Sequence, residues 1–267
     1  MKRYLNYYRG LVYIVLSLNC SQIAFASNEI PQTDIRSLSV GGINSLSREL
    51  LNPAAISFLE NGEVGLSTVN RFGMKELSTY GVYGVFLNKW LDGGIQFSTY
   101  GYEEYRLTQG EINLAKRITS GLSIGVQFGC LHENSFLKEA NEMYFVADPG
   151  LYWKINSQFD LAFVSKNLLS TSNFLKPAFY AGLGYRPIRD FHILAEGGFV
   201  SEKQSYLSLG IEYEILSVLT FRCGVRTDTP NPAIGAAWRW GKWRVDIVFL
   251  LHNQLDLSSG IGLSYSL

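Results

Sequence analysis

Five charged residues stand at positions that alternate with large apolar ones: Glu196, Glu212, Arg222, Arg244 and Asp246. Charges spaced in this way can do one of two things. They can form a polar track that binds a solute, or they can pair with one another as an ion network. Around Glu212, the residues Leu207, Leu209, Ile211, Tyr213 and Ile215 share one face, with Ser208, Gly210, Glu212 and Glu214 on the other. If the chain turns about Ser217, Glu212 and Arg222 fall directly opposite each other, as an attractive cross-strand pair. Asp246, Arg244 and Glu196 point to the same side. The ion-network reading is preferred, since buried charges need partners whatever the function.

Other chemistry finds little support. His132, His192 and His252 fall on separate strands, and a nucleophile needs its base within hydrogen-bond reach. His132 has Ser135 nearby but already in a loop, and His252-Asn253-Gln254 has no adjacent serine. There is no Cys-x-x-Cys, no His-Glu-x-x-His and no calcium-loop pattern, so neither a metal nor a cofactor is expected. Gly182-Leu183-Gly184 opens no helix and reads as strand glycines. The expectation is a non-enzymatic protein.

The elements that carry these residues are read from period-two alternation. Trp243, Val245, Ile247, Phe249 and Leu251 lie on one face, against Arg244, Asp246 and His252; Leu219, Phe221, Cys223 and Val225 oppose Thr220, Arg222 and Arg226. Such segments of about ten residues, repeated along a chain, are the signature of a transmembrane antiparallel β-barrel. Short connections are expected near Asn88-Lys89, Thr119-Ser120, Asn156-Ser157, Arg189-Asp190, Leu216-Ser217 and Gly241-Lys242. Longer ones alternate with them, at 71–76, 102–109, 133–142, 167–176, 201–204, 227–231 and 253–256. The total is about fourteen strands, or twelve if two hairpins are misread. Trp90, Trp153, Trp238, Trp240 and Trp243 all lie near short turns, as an interfacial girdle at the periplasmic rim would. Ordinary core tryptophans of a soluble β-sandwich or lipocalin-like fold would not cluster so.

Residues 1–26 read as a secretory signal, with Lys2, Arg3 and Arg9 before an apolar run and Ala24-Phe25-Ala26 at its end. Its removal takes three of 23 basic residues and none of 23 acidic ones, leaving 20 against 23, so nucleic acid is not an expected partner. Cys20 falls in the signal with poor lipoprotein neighbours, and Cys130 and Cys223 are expected to stay unbridged. Residues 27–61 are read as a lumenal plug and 62–267 as the barrel. Within the plug, Ile43, Leu46, Leu50 and Leu51 suit a short amphipathic helix between Ser39 and Leu59, preceded by Gly41 and Gly42 and ended by Asn52-Pro53. Inner-face glycines at 125, 129, 182, 184, 198, 210, 260 and 262 leave room for a plug or an apolar ligand, in a barrel too wide for side chains alone to fill. Pro149, within the strand-like run 143–155, marks a candidate wall bulge.

Gly41-Gly42 followed by Asn52-Pro53-Ala54 resembles the N-terminal hatch of the FadL-like outer-membrane barrels. Lys166-Asn167-Leu168, Gly210-Ile211-Glu212-Tyr213, Arg222-Cys223-Gly224, Val245-Asp246 and the closing Ser-Gly-Ile-Gly-Leu-Ser-Tyr run are similar to the PorV/PorQ branch, associated with type IX secretion. The last strand ends on Leu267, where barrel-insertion signals usually end on Phe. The resemblance implies a protein of the bacterial outer membrane, in contact with its lipid, with two functions open. One is an accessory barrel that docks secretion-system proteins. The other is a channel that takes up a small apolar ligand through the plug and a lateral opening near Pro149, where fatty-acid transporters have a kinked wall. An outer-membrane lipid hydrolase is a distant third.

Overall fold

The computed structural model describes residues 31–47, 50–135, 140–172, 175–201, 205–228, 232–252, 255 and 257–267. The signal expected at 1–26 and the first residues of the expected plug lie outside them. Antiparallel strands β1 (Glu63–Asn70), β2 (Ser78–Phe86), β3 (Asp92–Gly101), β4 (Tyr105–Arg117), β5 (Leu122–Ser135), β6 (Ala140–Lys154) and β7 (Phe159–Lys166) form one half of the wall. After a two-residue strand β8 (Leu169–Ser170), the wall continues through β9 (Ala178–Ile188), β10 (Phe191–Val200), β11 (Tyr206–Leu216), β12 (Leu219–Arg226), β13 (Ala233–Trp240), β14 (Trp243–Leu250) and β15 (Ser258–Ser266). β1 pairs with both β2 and β15, and β5 pairs with β6, so fourteen full strands close into a barrel and leave no open edge.

Alternation produces this wall because each strand has a polar lumen on one side and an apolar outside on the other. Leu207, Leu209, Ile211 and Tyr213 are exposed on the outer face of β11, while Ser208 is fully buried on the inner one. The five tryptophans are exposed, and all lie at the short-turn end, Trp90 at 80 % and Trp240 at 72 %. The six short turns fall where expected, with the β11–β12 turn at 217–218. Two long connections are shorter than expected, because β4 already begins at Tyr105, β5 runs on to Ser135 and β6 begins at Ala140.

The plug differs from its expected form. Its α-helix, α1, covers Ile35–Ser39, capped by Asp34, whose Oδ1 accepts from Ser37 N at 2.8 Å. Gly41 and Gly42 then take positive φ, 86° and 73°, and Gly42 N donates back to Ser37 O, closing the helix as glycine commonly does. Ile43 and Leu46 are buried outside any helix, Ile43 in irregular chain and Leu46 in a turn. A segment enclosed by wall on all sides has no single apolar face, so its periodicity does not report a helix. Asn52-Pro53 starts a 3-10 helix, Pro53–Phe58, instead of ending an α-helix. Asn52 Oδ1 accepts from Ala54 N at 3.0 Å, and proline fits a first helical position because its missing N–H has no partner there anyway.

The bulge expected at Pro149 is also displaced. Pro149 stays in register opposite Val126 on β5. On its other side, Gly150 pairs with Val164 and Ala147 with Leu169, so residues 165–168 lie across from only 148 and 149. The extra chain is thus on the neighbouring strand, where Asn167 takes a φ of 56°. Asp148 fills the gap by accepting from Asn167 N at 2.6 Å. Proline needs no ladder donor, so the wall can part beside it without stranding an N–H.

Candidate functional site

The plug is held first by charge. Glu212 on β11 receives Nε and Nη2 of the plug's Arg36, both at 2.6 Å, in a fork-to-fork pair. Arg222, its cross-strand partner, contacts Glu212 at 3.1 Å and reaches Asp246 at 2.5 Å. It can reach over β13 because that strand presents Gly235 and Ala237 beside them. Arg244 joins Asp246 at 2.7 Å and Glu63 on β1 at 3.0 Å, and His192 Nδ1 lies 3.5 Å from Glu212. Four of the five charges read from the sequence therefore meet in one chain of ion pairs near the short-turn end.

Glu196 does not join that chain. Its carboxylate accepts from Asn44 N at 2.9 Å, Ser45 N at 2.6 Å, Ser45 Oγ at 2.6 Å and Asn44 Nδ2 at 3.2 Å. One buried wall carboxylate thus supplies the acceptors that a helix would have given this non-helical stretch. Asn52 completes the grip, donating to Ser45 O within the plug at 2.7 Å and to Leu151 O of β6 at 3.2 Å.

Glycines set how closely plug and wall approach. A Cβ on Gly210 would stand 2.5 Å from Val40 O, one on Gly125 would stand 2.7 Å from Ala54 N, and one on Gly260 would stand 2.9 Å from Ile35 Cδ1. Gly182 and Gly262 likewise face Leu46 and Ile35. Gly129, Gly184 and Gly198 instead make room for wall side chains, Val146, His192 and Tyr206. The apolar plug residues Val40, Ile43, Leu46, Ala54, Ala55 and Phe58 pack with Tyr152, Ala162 and Leu194 of the wall.

On the loop side of the plug lies a cavity of about 80 Å³. Its charged lining is Glu111, Asp148 and Lys166, with Gln96, Gln109 and Asn44 among the neutral polar groups and Val146 and Tyr180 among the apolar ones. Lys166 Nζ lies 3.6 Å from Asp148 and donates to Gln127. This group was missed in the sequence, although Gln109, Glu111 and Asn113 form a polar row at period two on β4, a legible inner face. Arg36 was missed too. Its signal is a charge within a segment bound for the lumen, which must find a partner there.

His252 Nε2 lies 2.8 Å from Ser258 Oγ, a contact that sequence spacing did not show. Ser258 is 1 % exposed and its oxygen already accepts from Phe72 N at 2.9 Å, so it is not open to a substrate. Cys130 and Cys223 are free thiols.

No protein-family model matches the chain, and no curated relative was found. Solved structures do resemble it. A deletion mutant of the monoaromatic hydrocarbon channel TodX superposes with a TM-score of 0.66 at 11 % identity, over 87 % of this chain and 98 % of that one. A FadL homologue of Pseudomonas aeruginosa gives 0.61 at 12 % identity, over 90 % and 100 %. The toluene transporter TodX of P. putida gives 0.61 at 11 % identity, over 86 % and 97 %. At these identities the likeness establishes a shared fold: this chain is a plugged fourteen-stranded barrel built like the FadL-type outer-membrane channels.

Proposed function

We propose that the protein is an outer-membrane channel for uptake of small hydrophobic or amphipathic molecules, with long loops outside, short turns in the periplasm and the plug closing the straight route. The observation that carries this reading is the junction at Asp148, which lines the cavity above the plug and also fills the β6–β7 wall gap beside Pro149. A molecule held in the cavity is one carboxylate away from a break in the wall ladder. Exit through that break is the lateral route. The fold likeness to hydrocarbon channels favours uptake over the secretion-docking role that the PorV/PorQ resemblance implies.

A reversible lock on the plug tests the reading. A Cβ at Gly262 would lie 3.8 Å from Ile35 Cβ, the usual Cβ separation of a disulfide, so the pair I35C/G262C, in a C130S/C223S background, can join plug to β15. Labelled toluene and a medium-chain fatty acid are offered to cells that lack their own uptake channel. Uptake should appear with the reduced protein, vanish on oxidation and return with reductant. No uptake above empty cells, with a stoichiometric protein partner in gentle purifications, overturns the channel in favour of docking.

A further inference from the structure

The outer wall, where the first and last strands close the barrel, carries an apolar groove of about 670 Å³. Two rows of outward side chains bound it. One follows the register from Trp243 through Tyr265, Val64 and Gly84 to Ile95, crossing β14, β15, β1, β2 and β3. The next runs through Leu263, Leu66, Val82 and Phe97. Between the rows, Tyr83 and Gln96 turn their side chains inward to Glu63 and Thr33, so with Gly65 they leave backbone as the floor. Gly84 deepens the groove, because no side chain stands at the middle of the first row.

The first row climbs away from the short-turn rim. Trp243 is the first residue of β14, Gly84 the third from the end of β2, and Ile95 the fourth of β3. The row therefore leads from the membrane interface into the hydrocarbon over four strand spacings, about 19 Å at about 4.8 Å each. One leaflet of a hydrocarbon core about 30 Å thick is about 15 Å deep, so the row is long enough for one acyl chain. At its rim end the Trp243 and Tyr265 rings meet edge to face, 4.9 Å apart, and Lys242 Nζ stands 5.7 Å from the Tyr265 ring. Lys242 is exposed and makes no ion pair among the described residues, and Glu63 is turned inward to Arg244. The groove thus starts at an unneutralised ammonium and continues as apolar wall.

We infer that this groove holds one phospholipid of the periplasmic leaflet, with an acyl chain along the row toward Ile95 and Phe97 and the phosphate at Lys242. The inference rests on the orientation proposed above, with the short turns in the periplasm, and not on what the lumen carries. Charge at the rim end and a tail-length apolar path leading from it match a phosphate-headed lipid. A second barrel presents a convex wall, which meets the two rows without reaching the floor between them. Lipid that merely surrounds the barrel is stripped with detergent, whereas a lipid seated in the groove survives.

The test is native mass spectrometry of protein extracted from outer membranes, stripped stepwise with detergent and titrated back with phosphatidylglycerol. One phospholipid per chain should remain after the rest are gone. Gly84→Leu fills the groove and should abolish retention; its Cβ would stand 3.2 Å from the far edge of the Phe86 ring, which can swing aside. Gly197→Leu, on the outer face of β10 with nothing within 4 Å of its added Cβ, should leave retention unchanged. Lys242→Gln, on an exposed turn, should weaken rebinding about fivefold, the ordinary share of one lysine at a lipid surface. Heat-modifiable gel migration checks folding, and K242Q decides alone should G84L misfold. No retained phospholipid, equal retention in folded G84L, or unchanged rebinding in K242Q overturns the inference. A two-chain species that G84L dissolves also overturns it and gives the groove to a second copy. Binding is read without transport, so lipid retention in a protein that takes up no solute sinks the channel and spares this inference, and uptake without retention does the reverse.

Discussion

The β10–β14 sector of the wall and the β3–β7 sector face the same plug and treat polar groups in opposite ways. In the first, Glu196 receives four donors from the plug, and Glu212, Arg222, Asp246 and Arg244 are joined pair by pair to Arg36 and Glu63. In the second, among the described residues, Glu111 has one amide donor, and Asn113 and Gln127 keep unpaired atoms. Both sectors rest on glycine where the plug touches, Gly210 in one and Gly125 in the other. The shape of the contact is shared, and the chemistry is not. A sector whose charges satisfy one another, with His192 Nε2 as its one ring nitrogen left without a partner among the described residues, works as an anchor. A sector with unmet polar groups has bonding capacity to offer, and it is the one beside the cavity and the wall gap.

The largest expected effect comes from breaking the anchor. Replacing Glu212 by Ala leaves Arg36 and Arg222 buried without their shared carboxylate, and removing one member of such a pair typically costs about 3–5 kcal/mol. The plug should loosen while the outer barrel persists, so limited trypsin digestion should cut at Arg36 in E212A and spare it in the parent. Glu111→Gln, under the same digestion, should leave Arg36 protected. If E212A protects Arg36 as well as the parent does, the anchor assignment fails.

A smaller effect separates close approach from charge. Gly210→Ala puts a Cβ at 2.5 Å from the Val40 carbonyl oxygen, a backbone atom that cannot swing away. Overpacking of this kind costs about 1–3 kcal/mol. Gly197→Ala is the control, since nothing lies within 4 Å of its added Cβ. Urea unfolding in detergent should show a lower midpoint for G210A alone, and equal midpoints for the two would remove the glycines from the account of the plug's seat.

How far the sequence foretold this arrangement depends on whether neighbours in space were also neighbours in register. Glu212 and Arg222 could be paired from the sequence because one short turn at 217–218 fixes their positions. The wall was legible because lipid and lumen impose the same two-residue period on every strand. Glu196 could be placed on the inner face but not matched to Asn44 and Ser45, because plug-to-wall contacts obey no period. Arg36 carried a signal, a charge in a lumen-bound segment, but its partner was hidden for the same reason, whereas Glu63 on β1 meets Arg244 across β15, where the first and last strands close the barrel and no single turn fixes the pairing. The plug helix was misplaced because its apolar residues answer to a surrounding wall, and Asn52-Pro53 was misread because the same dipeptide can end one helix or open another. Asp148 was overlooked beside Pro149, although the side chain, not the ring, closes the wall gap.

The smallest expected effect lies at the loop end of the well-paired sector, where the barrel closes. His252, just beyond β14, has its ring 4.7 Å from Phe72, its Nε2 beside Ser258 and Arg71 nearby, and it thereby holds the 71–76 connection against β15. Burial first, and the Arg71 charge second, hold its imidazole below the ordinary histidine range. The sign follows from proton counting: between the lowered folded value and the unfolded one near 6.5, the unfolded chain binds the extra proton. The contact is therefore fully present above about pH 6.5 and weakens as the pH falls below it. Trypsin cleavage at Arg71 should rise between pH 7.5 and pH 5.5, relative to cleavage at Arg36, which the anchor keeps closed throughout. His252→Gln should flatten that dependence, since glutamine can still bond Ser258 but takes up no proton in this range. An unchanged pH profile in H252Q would assign the loosening to another loop group.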